Sequence, residues 1–200
     1  MKPVAVLAFF RLSFAIRAGS RVADRAATLT APLTQFPPGS NSSRKIQRYF
    51  PSISQRGLLN TICRVIADPQ LIDLVRLILE SHAENEVREH FRPGALPGWG
   101  LPIGNLTSQF FANVMLDPFD HFVTEVVRPG GYVRSMDDFL LFGESRDQLR
   151  EMGKQARERL ASLELQIHPD KYRLVRTRDG VDFVGFRALP TAAFGSGKRA

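Results

Sequence analysis

Two adjacent aspartates, Asp137 and Asp138, lie between two short apolar runs, and this arrangement constrains the fold more than any other stretch of the sequence. The pattern predicts a β-hairpin with strands at 131–135 and 139–142 and a tight turn at Met136 and Asp137. Paired carboxylates on a turn can hold hard divalent cations such as Mg²⁺, and two such ions can clamp both oxygens of a phosphoryl transfer. An isolated Asp-Asp pair is also common as a solvated turn, so the flanking sequence has to decide between these interpretations.

The flanking sequence carries four further motifs in a fixed order. They are 48–53 (RYFPSI), 100–113 (GLPIGNLTSQFFAN), 163–171 (LELQIHPDK) and 181–186 (VDFVGF). Together with the Asp-Asp hairpin, they resemble motifs A to E of the reverse transcriptases over roughly residues 46–190. Within that family, the chain is most similar to the bacterial group II intron, retron and diversity-generating retroelement enzymes.

The resemblance implies an α+β fold, the palm of a polymerase, in which helices back an antiparallel sheet. The implied reaction is RNA-directed DNA synthesis, in which a DNA primer on an RNA template attacks a deoxynucleotide with the help of two Mg²⁺ ions. Asp137 and Asp138 would be the catalytic carboxylates and the metal ligands. Lys171 would lie near the leaving pyrophosphate, where a cation or an acid assists departure.

The resemblance also assigns substrate contacts. Phe50 would be the steric gate that excludes a ribose 2′-hydroxyl. Other residues would lie against the template and the incoming nucleotide (Gly104, Ser108, Gln109) or form the primer grip (Phe183, Val184, Gly185, Phe186). The alternative for Ser108 and Gln109 is that they are only first-turn residues of a helix, and for Lys171 that it is a solvated loop residue.

The sequence departs from the family pattern in motif A. The family places an Asp four residues before the aromatic pair Tyr49-Phe50, and this position is Lys45 here. A protonated amine cannot ligate a metal, and at about 4 Å it repels a divalent ion by several kcal/mol. We therefore expect little or no polymerase activity, and the alternatives are an inactive remnant or a basic nucleic-acid-binding module. Ser135 replaces the usual ring of motif C, for which we expect altered fidelity rather than lost catalysis.

Residues 1–44 do not share the pattern of the rest of the chain. The first 43 residues contain one acidic residue against five basic ones, and the second half is rich in Ala, Thr, Pro and Ser. We expect a non-homologous, disordered leader in place of a fingers domain, introduced by a frameshift, a rearrangement or a misassigned start, and the alternative is a divergent, disordered leader. The palm domain would span 45–190, and 191–200 would be a basic, disordered tail.

Composition limits the kinds of binding partner and the cellular compartments that are compatible with this chain. The net charge of +7 favours a polyanionic partner. Cys63 is the only cysteine, so an intrachain disulfide is excluded and a reducing compartment is compatible. No apolar run approaches the length of about 18 residues that a membrane span needs, so we expect a cytoplasmic protein without a membrane partner. The sequence leaves the oligomeric state open.

The remaining elements are predicted from periodicity and turn residues. We expect helices beginning after Ser54 and at Pro69, a loop over 81–98, a helix to about Val127, a strand ending at Tyr49-Phe50, and a hairpin of 172–176 with 181–186.

Overall fold

A computed structural model of the chain describes residues 39–89, 98–101, 106–184, 186–188 and 193–195. At its centre lies a four-stranded antiparallel sheet with strand order β2-β3-β1-β4. The strands are β1 (Ser40–Ile46), β2 (Gly131–Ser135), β3 (Asp138–Gly143) and β4 (Ile167–Arg176). A second sheet contains β5 (Val181–Phe183), β6 (Phe186–Ala188) and β7 (Ala193–Gly195). The predicted α+β class is confirmed.

Helices flank the first sheet. They are α1 (Gln55–Cys63), α2 (Pro69–Glu89), α3 (Leu106–Met115), α4 (Asp117–Phe122) and α5 (Arg146–Ser162), and a π-helical turn, Val123–Val127, extends α4. Ser54 caps α1 as predicted, because its Oγ accepts a hydrogen bond from the Gly57 N–H at 3.2 Å. No helix in the described part of the chain is long and apolar enough to cross a membrane.

Two helix boundaries differ from the prediction. The helix expected to run to Val127 does end there, but it breaks at Leu116 because Pro118 lacks the N–H that would continue the ladder. The loop expected from residue 81 is wrong, since α2 continues to Glu89. Residues 81–89 contain no glycine or proline and several strong helix formers. Their polarity alone therefore does not end the helix.

Strand β1 is central although it is polar along almost its whole length. It begins at Ser40, inside the stretch expected to be a disordered leader, and residues 1–38 of that stretch lie outside the described residues. It ends at Ile46, before the predicted end at Tyr49-Phe50, and Phe50 instead begins a 3-10 turn. Apart from Ile46 at its end, the sequence SNSSRKI lacks the β-branched and aromatic residues that indicate a strand. Pairing with β3 and β4 on both sides overrides this low propensity.

Apolar side chains hold the Asp-Asp hairpin from both faces of the sheet. On the helix side, Phe139 of β3 packs edge-to-face on Phe119 of α4, with ring centroids 5.2 Å apart. On the other side, Leu140 and Phe142 cluster with Val181 of β5. The alternation along β3 therefore fixes the register in which the adjoining carboxylates are presented.

The predicted hairpin between 172–176 and 181–186 is wrong. Strand β4 pairs with β1 in the first sheet, whereas β5 pairs with β6 in the second. The short 3-10 turn Thr177–Asp179 and Gly180, at φ = 89°, carry the chain from one sheet to the other instead of folding it back. Strand β7 lies within 191–200, where we expected a disordered tail.

Candidate active site

The Asp-Asp turn has the geometry that the sequence predicts. In the hairpin of β2 and β3, Ser135 pairs with Asp138, and Met136 and Asp137 make the turn. Met136 has φ = 55°, in the left-handed region that residues other than glycine seldom adopt. This backbone conformation sets the direction in which the next side chain, Asp137, leaves the turn.

Lys45 lies opposite these carboxylates. Lys45 and Asp138 are partners in the β1–β3 ladder, and the Ile46 N–H donates to the Asp137 carbonyl at 2.8 Å. The Lys45 Nζ lies 3.0 Å from Asp137 Oδ2 and 3.4 Å from Asp138 Oδ2. Counting back from Tyr49-Phe50 therefore identifies a residue that does face the carboxylates, and this residue is a cation that bridges both.

The electrostatics of this cluster favour a protonated lysine. Partial burial lowers the pKa of Lys45, but the hydrogen bonds and charges of Asp137 and Asp138 together outweigh burial and raise the pKa above 10.5. Burial and then the charge of Asp137 raise the pKa of Asp138, and the charges of Lys45 and Lys171 offset this only in part. At neutral pH the cluster thus holds an ammonium between two acidic groups.

This arrangement does not fit a divalent metal centre. Within the described residues, no group of three or more His, Cys, Asp or Glu side chains could hold a metal ion. Mg²⁺ needs near-octahedral oxygen ligands, and the two carboxylates that converge here are both bonded to the Lys45 ammonium. A protonated amine has three donors and no acceptor, so it cannot replace the missing oxygen ligand.

Lys171 lies close to the cluster, although not in the loop where the sequence placed it. It belongs to β4, an edge strand, and it is exposed. The register between β1 and β4 shifts between Arg44 and Ile46, next to Lys45. The charge of Lys171 acts to lower the pKa of Asp138. Two lysines therefore supply positive charge at the carboxylate pair.

The residues predicted to contact the nucleotide differ in how far their side chains are exposed. Gln109 is exposed on α3, so both its donor and its acceptor are available to a ligand. Ser108 is 1% exposed, and its Oγ has no partner within the described part of the chain. Phe50 is partly buried, packs on the apolar core and contacts the Tyr49 ring edge-to-face at 5.9 Å. Gly104 lies outside the described residues.

The predicted primer grip is the turn between β5 and β6. Phe183 is 6% exposed in the apolar cluster of Leu140 and Phe142, and it pairs with Phe186 across the two strands. Val184 has φ = 50°, which is strained for a β-branched residue. Gly185 lies outside the described residues. A role of this turn in holding a primer stays a prediction.

A buried ionic network behind the turn was missed by the sequence analysis. Arg134 of β2 donates to both carboxylate oxygens of Asp120, and the Tyr132 hydroxyl donates to Asp120 Oδ1 at 2.6 Å. Both charged side chains are almost fully buried. The sequence did contain a signal, since alternation places Arg134 on the same face of β2 as Tyr132, directed at the helices. An arginine at an inward position indicates a buried acidic partner.

An antiparallel sheet backed by helices, with an Asp-Asp hairpin facing its central strand, is the palm of a nucleic-acid polymerase. The chain belongs to the reverse transcriptase family, because the family model "Reverse transcriptase (RNA-dependent DNA polymerase)" matches residues 42–188.

Known proteins resemble the chain in sequence and in fold. Protein YkfC of Escherichia coli (strain K12) is 24% identical over 228 residues, which cover 94% of this chain and 58% of YkfC. The chain thus spans less than two thirds of the length of this relative. Apo telomerase of Candida tropicalis, truncated from its C-terminal domain, superimposes with a TM-score of 0.65 at 16% identity, covering 96% of this chain and 44% of the telomerase. Telomerase of Candida albicans, in complex with a fragment of telomeric RNA, gives 0.58 at 15% identity over 92% and 34%. These two structures support the fold alone.

Proposed function

We propose that this chain is the palm of an RNA-directed DNA polymerase in which nucleotidyl transfer is impaired, because Lys45 bridges the two carboxylates that would hold the metals. The observation that carries the proposal is the pair of contacts from Lys45 Nζ to Asp137 Oδ2 and Asp138 Oδ2, at 3.0 and 3.4 Å. Reverse transcriptases use divalent metal ions, and Mg²⁺ is the ion we propose for an enzyme with these carboxylates. An ammonium in this position removes a ligand and adds a repulsive charge.

The proposed substrates are an RNA template, a DNA primer and deoxynucleotides. The net charge of +7 supports a polyanionic partner. Gln109 and Lys171 support it locally, because both are exposed and can bond to a nucleotide. The assignment to a bacterial retroelement and the cytoplasmic location remain predictions.

A primer-extension assay tests the impairment. The wild type and the Asp137→Ala variant are each incubated with a labelled DNA primer on an RNA template, Mg²⁺ and deoxynucleotides. We expect no difference between the two proteins. The Lys45→Asp variant restores the family carboxylate, and any extension it gains should disappear in Lys45→Asp/Asp137→Ala. Extension by the wild type above the Asp137→Ala level would refute the proposal.

A second candidate function is nucleic-acid binding without chemistry. The charges of Lys45 and Lys171 balance those of Asp137 and Asp138, so the cluster does not repel phosphates as a set of unpaired carboxylates would. Fluorescence anisotropy with an RNA–DNA hybrid at several salt concentrations, in the absence of divalent ions, measures this function. We expect affinity that falls linearly on a logarithmic salt scale and is weaker in Lys45→Asp. Absent or salt-independent binding would contradict it.

A further inference from the structure

Arg134 joins the helix α3 to the turn that carries Asp137. Its Nε donates to Asp120 Oδ1 at 2.7 Å, and its Nη2 donates to the other oxygen of the same carboxylate. Its Nη1 donates to Asn113 Oδ1 at 3.0 Å and to the Met136 carbonyl at 3.1 Å. The Arg134 side chain is 2% exposed. A buried guanidinium held by two parallel bonds has a fixed orientation, so the Met136 carbonyl is bound to a rigid donor.

Asn113 completes the connection. Its Nδ2 donates to the Gln109 carbonyl at 3.0 Å, within α3, and lies 3.4 Å from the Met136 Sδ. Its Oδ1 accepts from Arg134. Both the carbonyl and the side chain of Met136 are therefore held by groups whose own positions are set by the core and by α3.

The conformation of Met136 requires such support. A residue with a side chain at φ = 55° is less stable there than in an extended or right-handed conformation. If the turn relaxed, the next residue, Asp137, would leave the backbone in another direction. We propose that Arg134 and Asn113 are positioning residues that hold Met136 in its left-handed conformation and thereby aim the Asp137 carboxylate at position 45.

The competing explanation is that the network only satisfies buried charges. Tyr132 separates the two explanations, because its hydroxyl bonds to Asp120 at 2.6 Å but has no bond to the turn. Tyr132→Phe therefore weakens the network without touching Met136. Asn113→Ala leaves the Arg134–Asp120 pair intact and removes contacts to the turn. Comparing the effects of Asn113→Ala and Tyr132→Phe on the position of Asp137, at an equal loss of stability, therefore distinguishes a positioning role from mere satisfaction of buried charges.

The first readout uses the unmodified site and does not depend on any activity. An ammonium fixed between two carboxylates exchanges its protons slowly and gives a ¹H–¹⁵N signal, which Lys45→Met assigns by its disappearance. We expect Asn113→Ala and Arg134→Lys to lose the Lys45 signal, and Tyr132→Phe to keep it. If Arg134→Lys does not fold, Asn113→Ala decides the question. An unchanged signal in Asn113→Ala, or an equal loss in Tyr132→Phe, would overturn the proposal.

The second readout rests on the proposed function, since it uses Mn²⁺ as a probe of the Lys45→Asp variant. Removing groups that orient metal ligands weakens metal binding by about 10–100-fold. We expect Asn113→Ala in that background to raise the Kd for Mn²⁺ by about tenfold, and Tyr132→Phe to leave it within about twofold. Equal effects of the two substitutions would count against positioning. If Lys45→Asp binds no Mn²⁺, the proposed function fails, and the Lys45 signal alone still decides the role of Arg134 and Asn113.

Discussion

Replacing Lys45 with aspartate should convert a cluster that repels divalent ions into one that binds them. A divalent ion about 4 Å from the Lys45 ammonium is repelled by about 8 kcal/mol at an effective dielectric of about 20, and by about 2 kcal/mol at that of water. The Lys45 side chain is 32% exposed, so the actual repulsion lies between these limits. An aspartate reverses the sign at a similar distance. Even at the lower limit, the affinity should improve by about 4 kcal/mol, or about a thousandfold in Kd.

Titration with Mn²⁺, followed by the electron paramagnetic resonance signal of the free ion, measures this change. Two variants serve as controls. Lys45→Met removes the repulsion without adding a ligand, so its affinity should lie between those of the wild type and Lys45→Asp. Lys154→Asp makes the same change of charge at an exposed position on α5 and should leave binding unchanged. The reasoning is refuted if the wild type binds Mn²⁺ as tightly as Lys45→Asp, or if Lys154→Asp gains as much.

Three further predictions concern stability and are measured by chemical denaturation. Asn41→Leu should stabilise the fold by about 1–3 kcal/mol, because Asn41 is 1% exposed and its Nδ2 has no partner in the described structure. As a control, the same substitution at the exposed Asn60 should have little effect. An equal gain in stability from Asn60→Leu would show that the buried Nδ2 of Asn41 is not the cause. Gly153→Ala should destabilise by about 1–3 kcal/mol, since its Cβ would lie 1.7 Å from the Arg44 Nη2. In an Arg44→Ala background, Gly153→Ala should instead stabilise the fold, because alanine has the higher helix propensity. If Gly153→Ala still destabilised the protein in that background, a clash with Arg44 would be ruled out as the cause. The pKa of Asp138 is raised, so the folded protein holds its proton more tightly than the unfolded chain does, and stability falls as the pH rises through and above 3.8. Asp138→Asn should therefore be more stable than the wild type at neutral pH, and this difference in stability should vanish below pH 3.8. A difference that does not change with pH would exclude the ionisation of Asp138 as its cause.

The parts of the site that sequence reasoning predicted are those fixed by local pattern or by counting. The turn at Met136 and Asp137 is predicted by alternation on either side, and Lys45 is identified by the resemblance to motif A, in which the family places an Asp four residues before Tyr49-Phe50. The turn depends only on a short segment, whereas the place of Lys45 opposite the carboxylates depends on the pairing of β1 with β3. The same reasoning placed Lys171 in a loop, because Pro169 and its polar neighbours conceal an edge strand.

The features that could not be predicted from the sequence are those that depend on contacts between separate segments of the chain. Strand β1 is identified by its partners β3 and β4, and its own residues argue against it. Strands β4 and β5 likewise belong to different sheets, and only their pairing partners show this. Locally, Asp179-Gly180 is as compatible with a hairpin as with the turn that the structure contains. Arg134 and Asp120 are 14 residues apart in the sequence; alternation indicates that Arg134 points inward, but only the packed helix shows that Asp120 is its partner.

The Lys45 cluster explains how the fold can keep the geometry of a polymerase palm without a third carboxylate. Two carboxylates side by side on a turn, with side chains 23% and 33% exposed, repel each other unless a cation lies between them. A bound metal would supply this positive charge from solution, whereas Lys45 supplies it from the chain itself. Lys45 therefore neutralises the carboxylate pair without offering the exchangeable ligand positions of a metal ion. Under the proposed function the neutralisation is retained and the metal chemistry is lost, so similarity of fold to polymerases does not by itself establish activity in this chain.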